Sequence, residues 1–124
     1  MRLLLDTQIF LWFLVAPSRI PRQARQAIDE PENDVFVSAA VIWEIAIKAA
    51  IGRLDIDVPR LPGLIDAAGF DELPVAARHA VGVHALPMHH RDPFDRLLIA
   101  QARVEVLTLV SVDPAIRQYD VAVL

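Results

Sequence analysis

The stretch R-L-L-L-D-T-Q-I-F-L-W-F-L-V (Arg2–Val15) decides how the rest of the chain is read. Leu3-Leu4-Leu5 is an apolar run without alternation, as expected of a strand buried on both faces of a sheet. Asp6 follows directly. Thr7 to Val15 is apolar and aromatic and reads as a short helix that ends before Pro17. The pattern of strand, polar residue, helix then returns. Val35–Val37 is β-branched and aromatic and reads as a second strand. Ser38 caps a helix over Ala39–Ile51, which Gly52 ends. Leu107–Val112 is the strongest strand of the chain, halted by Asp113-Pro114.

The intervening segments complete the outline. Pro21–Glu30 reads as an amphipathic helix with proline in its first turn. Leu54–Pro62 reads as an extended connector, followed by a short helix from Leu61 or Pro62 to near Gly69. Phe70–Leu73 reads as a short strand, and Pro74 opens a helix to about Val83. Asp92 is placed as an N-cap and Pro93 as the first residue of a helix that continues through Arg96–Val104. Tyr119–Leu124 is expected to form a fifth strand. Strands alternating with helices imply an α/β fold with a mainly parallel sheet, right-handed crossovers and helices on both faces. One domain over residues 1–124 is the expected organisation.

Composition narrows the chemistry. Hydrophobic residues make up 55% and charged residues 23% of the 124, which is the balance of a globular chain and excludes disorder as the main state. Cysteine is absent, so thiol catalysis, disulfides, cysteine zinc sites and iron–sulfur clusters are excluded. The longest apolar run, Ile9–Ala16, has eight residues, against the roughly 20 of a membrane helix. Asp6 interrupts any signal-peptide core, so the expectation is a soluble, cytoplasmic protein without a membrane partner. Twelve basic residues against 16 acidic ones give a net charge of −4, and Lys48 is the only lysine. A basic footprint for nucleic acid over the whole chain is therefore missing. Nucleic acid stays open as a substrate, because a carboxylate site that binds metal carries its own local acid.

The polar residues that interrupt the apolar segments mark where chemistry belongs. Asp6 and Asp113 each follow a strand directly, at the carboxyl ends where open α/β sheets bind their ligands. Glu44 lies in the second turn of the helix after the second strand, and Asp95 in the first turn of another helix. Four carboxylates from distant parts of the chain are thus expected at one edge of the sheet. Such a cluster needs protons or cations, and without cysteine or a well-spaced histidine pair the matching ion is hard: Mg²⁺ or Mn²⁺. Such ions activate water for in-line attack on a phosphodiester. Thr7 and Ser111 stand beside acids as accessory groups, with Asp92 as an extra acid. Arg91 and Arg96 flank the Asp95 turn and read equally as contacts for RNA phosphates or as solvated surface residues. Each acid also has a plainer reading. Asp6 and Asp92 are natural caps, Asp95 a dipole partner, Asp113 a turn residue, and Glu44 an i,i+4 partner of Lys48. The four histidines (His79, His84, His89, His90) read as solvated or core-edge residues.

The chain resembles the PIN-domain ribonucleases, in particular the VapC-type toxins of bacterial type II toxin–antitoxin pairs. The resemblance rests on L-L-L-D-T-Q-I-F-L-W (Leu3–Trp12), V-S-A-A-V-I-W-E-I-A-I-K (Val37–Lys48), G-F-D-E-L-P-V (Gly69–Val75), L-P-M-H-H-R-D-P-F-D-R-L-L-I-A-Q-A (Leu86–Ala102) and L-T-L-V-S-V-D (Leu107–Asp113). The fourth of these is the most specific. The resemblance implies a three-layer α/β/α fold with a five-stranded sheet and an acidic site that binds Mg²⁺ or Mn²⁺ and cuts RNA. It places Asp6, Glu44, Asp95 and Asp113 in the acidic quartet, with Asp6 and Asp95 as the strongest metal ligands, and Ser111 where a hydroxyl precedes the last acid. It further implies a homodimer and a cognate antitoxin that lies in a groove and often sends an arginine into the site. Gln8 stands where histidine is frequent.

Three rival readings are weighed. A receiver domain needs a lysine at a later strand end, and Lys48 is mid-helix. A haloacid-dehalogenase-like phosphatase needs a second aspartate two residues after the first, where Gln8 stands. A non-catalytic RNA- or protein-binding module, with the acids serving as caps, differs by having no saturable metal site.

Overall fold

A computed structural model describes all of residues 1–124. Four strands, β1 (Arg2–Leu5), β2 (Asp34–Ser38), β3 (Asp71–Leu73) and β4 (Thr108–Val110), form one parallel sheet in the order β3-β2-β1-β4. Six helices connect and follow them: α1 (Thr7–Val15), α2 (Arg22–Asp29), α3 (Ala39–Ala50), α4 (Leu61–Ala67), α5 (Ala77–His84) and α6 (Pro93–Glu105). β1 lies inside the sheet, with Leu4 opposite Phe36 on one side and Leu109 on the other. Leu3, Leu4 and Leu5 have no exposed surface. Successive strand residues point to opposite faces, so both faces of β1 are covered, as its unalternating sequence required. No helix is long and apolar enough to cross a membrane.

The sheet has four strands where five were expected. The final segment meets β4 only at Val123, opposite Leu109. Two bonds make that bridge: Leu109 N–H donates to the Ala122 carbonyl (2.9 Å) and Leu124 N–H to the Leu109 carbonyl (2.7 Å). The reason is local. Val121 N–H donates to the Tyr119 carbonyl (2.9 Å), which folds Tyr119–Val121 into a three-residue turn and removes that stretch from the ladder. The other departures are shifts of boundary. β4 is shorter than Leu107–Val112, and a 3₁₀ turn over Val58–Arg60 interrupts the Leu54–Pro62 connector. The helix expected from Pro74 starts at Ala77, where the His79 imidazole accepts from the Ala76 N–H (2.9 Å) and replaces the cap that alanine lacks. His79 is fully buried rather than solvated.

One residue is strained. α6 ends in a Schellman arrangement, with Leu107 N–H donating to the Ala102 carbonyl (2.8 Å) and Val106 in the left-handed region at φ 56. Glycine is favoured there, and a β-branched residue is strained by about 1–2 kcal/mol. Val106 is 82% exposed, so its side chain returns little through burial. Val106→Gly is expected to raise stability by about 1 kcal/mol, read as a higher urea midpoint at unchanged m-value.

Candidate active site

The carboxyl ends of β1, β2 and β4 lie together because the three strands are parallel neighbours. Asp6 N–H donates to the Val110 carbonyl (3.1 Å), which carries the ladder one step beyond β1 and brings the first acid beside the end of β4. Asp6, Thr7, Gln8, Leu11, Glu44, Lys48, Asp92, Asp95, Val112 and Asp113 line one cavity of about 290 Å³. Five carboxylates and a single lysine face it. Asp6, Thr7 and Glu44, separated in the chain by up to 38 positions, are all buried.

Each acid is held by a specific neighbour. Asp6 caps α1 by accepting from Ile9 N–H (2.8 Å). Glu44 accepts the Thr7 hydroxyl (2.6 Å) on one oxygen and Lys48 Nζ (2.7 Å) on the other. Asp92 caps α6 through one oxygen, which accepts from Phe94 N–H (2.9 Å) and Asp95 N–H (3.0 Å). Asp113 accepts from Ala115 N–H (2.9 Å), and its own N–H donates to the Ser111 hydroxyl (3.1 Å). The plain roles of cap, turn and i,i+4 partner are therefore real for Asp6, Asp92, Asp113 and Glu44. They coexist with convergence on one cavity.

Asp6 and Asp95 differ from ordinary solvated caps in the direction of their pKa shifts. A capping hydrogen bond favours the charged carboxylate and lowers its pKa. Asp6 is instead raised, chiefly by burial, with Asp113 and Glu44 adding to the effect against the opposing bonds from Ser111 and Ile9. Asp95 is raised from 3.8 to about 6, by burial first and then by the negative charge of Asp92, with smaller contributions from Asp113 and Asp6. A carboxylate with a raised native pKa supports the fold while protonated. That support is present below pH 4 and is lost as pH rises to about 6. The Asp95 side chain is about one-fifth exposed. Asp95→Asn is expected to gain about 1–3 kcal/mol at pH 8 in EDTA, with the gain shrinking toward pH 5. Urea unfolding at the two pH values measures it, and equal stabilities of variant and wild type at pH 8 would count against the repulsion described.

The donor set is entirely oxygen, which suits Mg²⁺ or Mn²⁺ and not zinc or copper. No three of the acids and imidazoles are grouped closely enough to enclose an ion by themselves. Mg²⁺ is compatible with that spacing, since it keeps several waters and takes only one or two carboxylates directly. By donor chemistry and by mutual repulsion the residues fit a hydrated hard cation.

Other expected residues fall elsewhere. Ser111 is buried and does not line the cavity; its hydroxyl accepts from the Asp113 N–H. Arg91 is exposed and borders no part of the cavity. The expectation that Arg96 meets RNA is corrected. Its side chain is buried, with Nη1 donating to the Pro87 carbonyl (2.8 Å) and the Tyr119 hydroxyl (2.9 Å). Weaker contacts at 3.4–3.5 Å reach the carbonyls of Val83, Leu86 and His90. A planar guanidinium one position beyond Asp95 points back toward the end of α5 and the loop that follows it because α6 turns about 100° per residue. His90, expected as a solvated or core-edge residue, is part-buried and sits between Asp95 and Tyr119, a role its sequence position does not reveal. Nothing in the H-H-R-D run distinguishes it from His89, and the partner that selects it is 29 residues away.

Comparison with known proteins places the chain. The PIN domain family model matches residues 3–122. Ribonuclease VapC22 of Mycobacterium tuberculosis is 33% identical over 122 residues, covering 94% of this chain and 90% of that protein. Among solved structures, the VapBC2 complex from Rickettsia felis, bound to a DNA fragment from its promoter, matches with a TM-score of 0.74 at 14% identity. It covers 100% of this chain and 98% of the matched one. VapBC-1 from nontypeable Haemophilus influenzae matches with a TM-score of 0.71 at 16% identity, over 100% and 97% of the two chains. FitAcB from Neisseria gonorrhoeae matches at 0.60 and 21% identity, over 98% and 95%. At these identities the structural matches speak for the fold.

Proposed function

The chain belongs to the PIN-domain family, and on that premise we propose that it is a VapC-type toxin: a Mg²⁺- or Mn²⁺-dependent endoribonuclease restrained by a cognate antitoxin. The observation that carries this reading is the cavity itself, where five carboxylates from four separate segments face one lysine. Carboxylates with native pKa values raised by burial and by one another call for a cation. The full-length match to a ribonuclease supports RNA as the substrate, and the VapBC complexes support an antitoxin partner.

In this reading Asp6, Asp95 and Asp113 hold the cation, with Glu44 completing the quartet. A bound hard cation supplies an activated water and neutralises charge on the phosphate. Thr7 and Lys48 fix both oxygens of Glu44, so that its carboxylate keeps one orientation. Lys48 balances part of the negative charge that an approaching phosphate would meet. Ser111 accepts from the backbone N–H of Asp113 and holds the start of the turn that carries that acid. A homodimer is part of the proposal.

The test is incubation of the purified chain with total cellular RNA in Mn²⁺ and in EDTA. Cleavage that needs the metal is the expected outcome. Intact RNA in both, together with no saturable Mn²⁺ binding by calorimetry, would replace the nuclease by a binding module whose acids serve as caps.

A further inference from the structure

His90 lies in a hydrogen-bonded chain whose geometry leaves one arrangement of protons. The Tyr119 hydroxyl oxygen receives two donors that have no alternative role as acceptors: Arg96 Nη1–H at 2.9 Å and the backbone N–H of His90 at 3.2 Å. A tyrosine oxygen has two acceptor sites and a single hydrogen to give. With both sites filled, that hydrogen goes outward, and its nearest acceptor is His90 Nδ1 at 2.8 Å; the His90 carbonyl is farther, at 3.4 Å. Nδ1 is therefore the unprotonated nitrogen, and the ring proton sits on Nε2. Nε2 faces Asp95 Oδ2 at 3.3 Å. Tyr119 is 4% exposed and Arg96 7%, so water does not compete for the first two links.

We infer that His90 is a positioning residue: Arg96 and Tyr119 hold it as the Nε2–H tautomer, and it donates that proton to Asp95 Oδ2, fixing the carboxylate at the rim of the acidic cavity. Neither local sequence nor helix geometry supplies this contact. Asp92 caps the backbone N–H of Asp95, and that bond leaves the Asp95 side chain free to rotate. His90 gives the carboxylate its only protein hydrogen bond and leaves Oδ1 without a protein partner. Groups that orient a metal-binding carboxylate typically change metal affinity or activity by about 10- to 100-fold when removed. The hydrogen-bond chain stands on the structure alone, whereas its consequence for catalysis rests on the nuclease reading.

The test begins with the full-length chain, metal-free, and ¹⁵N–¹H correlation of the histidine side chains. The expected spectrum shows His90 with a pyrrole-like Nε2 and a pyridine-like Nδ1, a pattern lost in Tyr119→Phe. A protonated Nδ1 would overturn the inference without touching the nuclease reading. Mn²⁺ affinity is then compared for wild type, His90→Ala and His90→Gln, whose amide N–H replaces the Nε2 donor. Weaker Mn²⁺ binding by about 10- to 100-fold in His90→Ala, recovered in His90→Gln, supports positioning. In RNA cleavage His90→Ala is expected to lower kcat and leave KM nearly unchanged, with kcat recovered in His90→Gln. Unchanged Mn²⁺ affinity and kcat in a folded His90→Ala would overturn it. A wild-type chain that binds no Mn²⁺ and cuts no RNA would sink the nuclease reading instead, and the tautomer would still decide the hydrogen-bond chain.

Discussion

Asp6→Asn is expected to lower the rate of RNA cleavage by about 10³-fold, a loss of several kcal/mol in transition-state stabilisation, while the variant melts no lower than wild type. The two halves of this expectation have separate causes. Asparagine caps helices as well as aspartate does, so the bond from Ile9 N–H survives the change. The amide is nearly isosteric with the carboxylate and fits the same buried space. Only the charge is removed, and that charge is disfavoured in the fold by burial and by Asp113 and Glu44. A residue retained at the expense of stability is typical of a functional site. Cleavage assays beside thermal melts in EDTA measure both halves. Activity within tenfold of wild type would remove Asp6 from the metal-holding set. A large fall in melting temperature would mean that its main role is structural.

Arg96→Ala is expected to be the most destabilising of the substitutions considered, by about 3–5 kcal/mol. The guanidinium makes its two short bonds to the Pro87 carbonyl and the Tyr119 hydroxyl, and charged donors contribute about 1.5–3 kcal/mol each. Its plane also lies 5.9 Å from the Tyr119 ring centroid. Deletion leaves a buried hydroxyl without one of its donors and releases the loop before α6. For a chain of this length the fall in melting temperature is about 10 °C or more. Arg96→Lys recovers only part of it, since a single ammonium nitrogen can at best replace the two Nη1 bonds and loses the Nη2 contacts to the Val83 and Leu86 carbonyls. Circular dichroism melts of the two variants check the ranking. A loss below about 1 kcal/mol for alanine would show that these bonds are replaced by water.

The two substitutions act on neighbouring parts of one assembly. Asp95, at the cavity, and Arg96, in the interior, are consecutive on α6, and the helix directs one side chain to each environment. His90 connects them, through its contact with Asp95 on one side and Tyr119 on the other. Loosening Arg96 is therefore expected to reduce cleavage as well as stability.

The alternation of strands and helices, their order and the acids at strand ends were legible in the residues because each depends on short-range rules. An unalternating Leu3-Leu4-Leu5 specifies burial on two faces. Ser38, Asp92 and Pro93 mark helix starts within one turn of their own positions. Parallel strands then bring Asp6, Glu44 and Asp113 to one edge without any knowledge of side-chain contacts. Lys48 was legible too, as the only base four residues from Glu44 on an apolar helix. Three features were decided only by the packed chain. The fifth strand shrinks to the Val123 bridge because a turn around Asp120 competes with the ladder. Arg96 has the chemistry of a phosphate ligand, and its burial follows from where the end of α5, the loop after it and Tyr119 lie. His90 and His89 are neighbours of one chemistry and both pack on Tyr119, and hydrogen bonds to Tyr119 and Asp95 give only His90 a role. Periodicity and capping act over a few residues, whereas Tyr119 meets Arg96 and His90 across 23 and 29 positions, where only the packing of the core brings the groups within bonding distance.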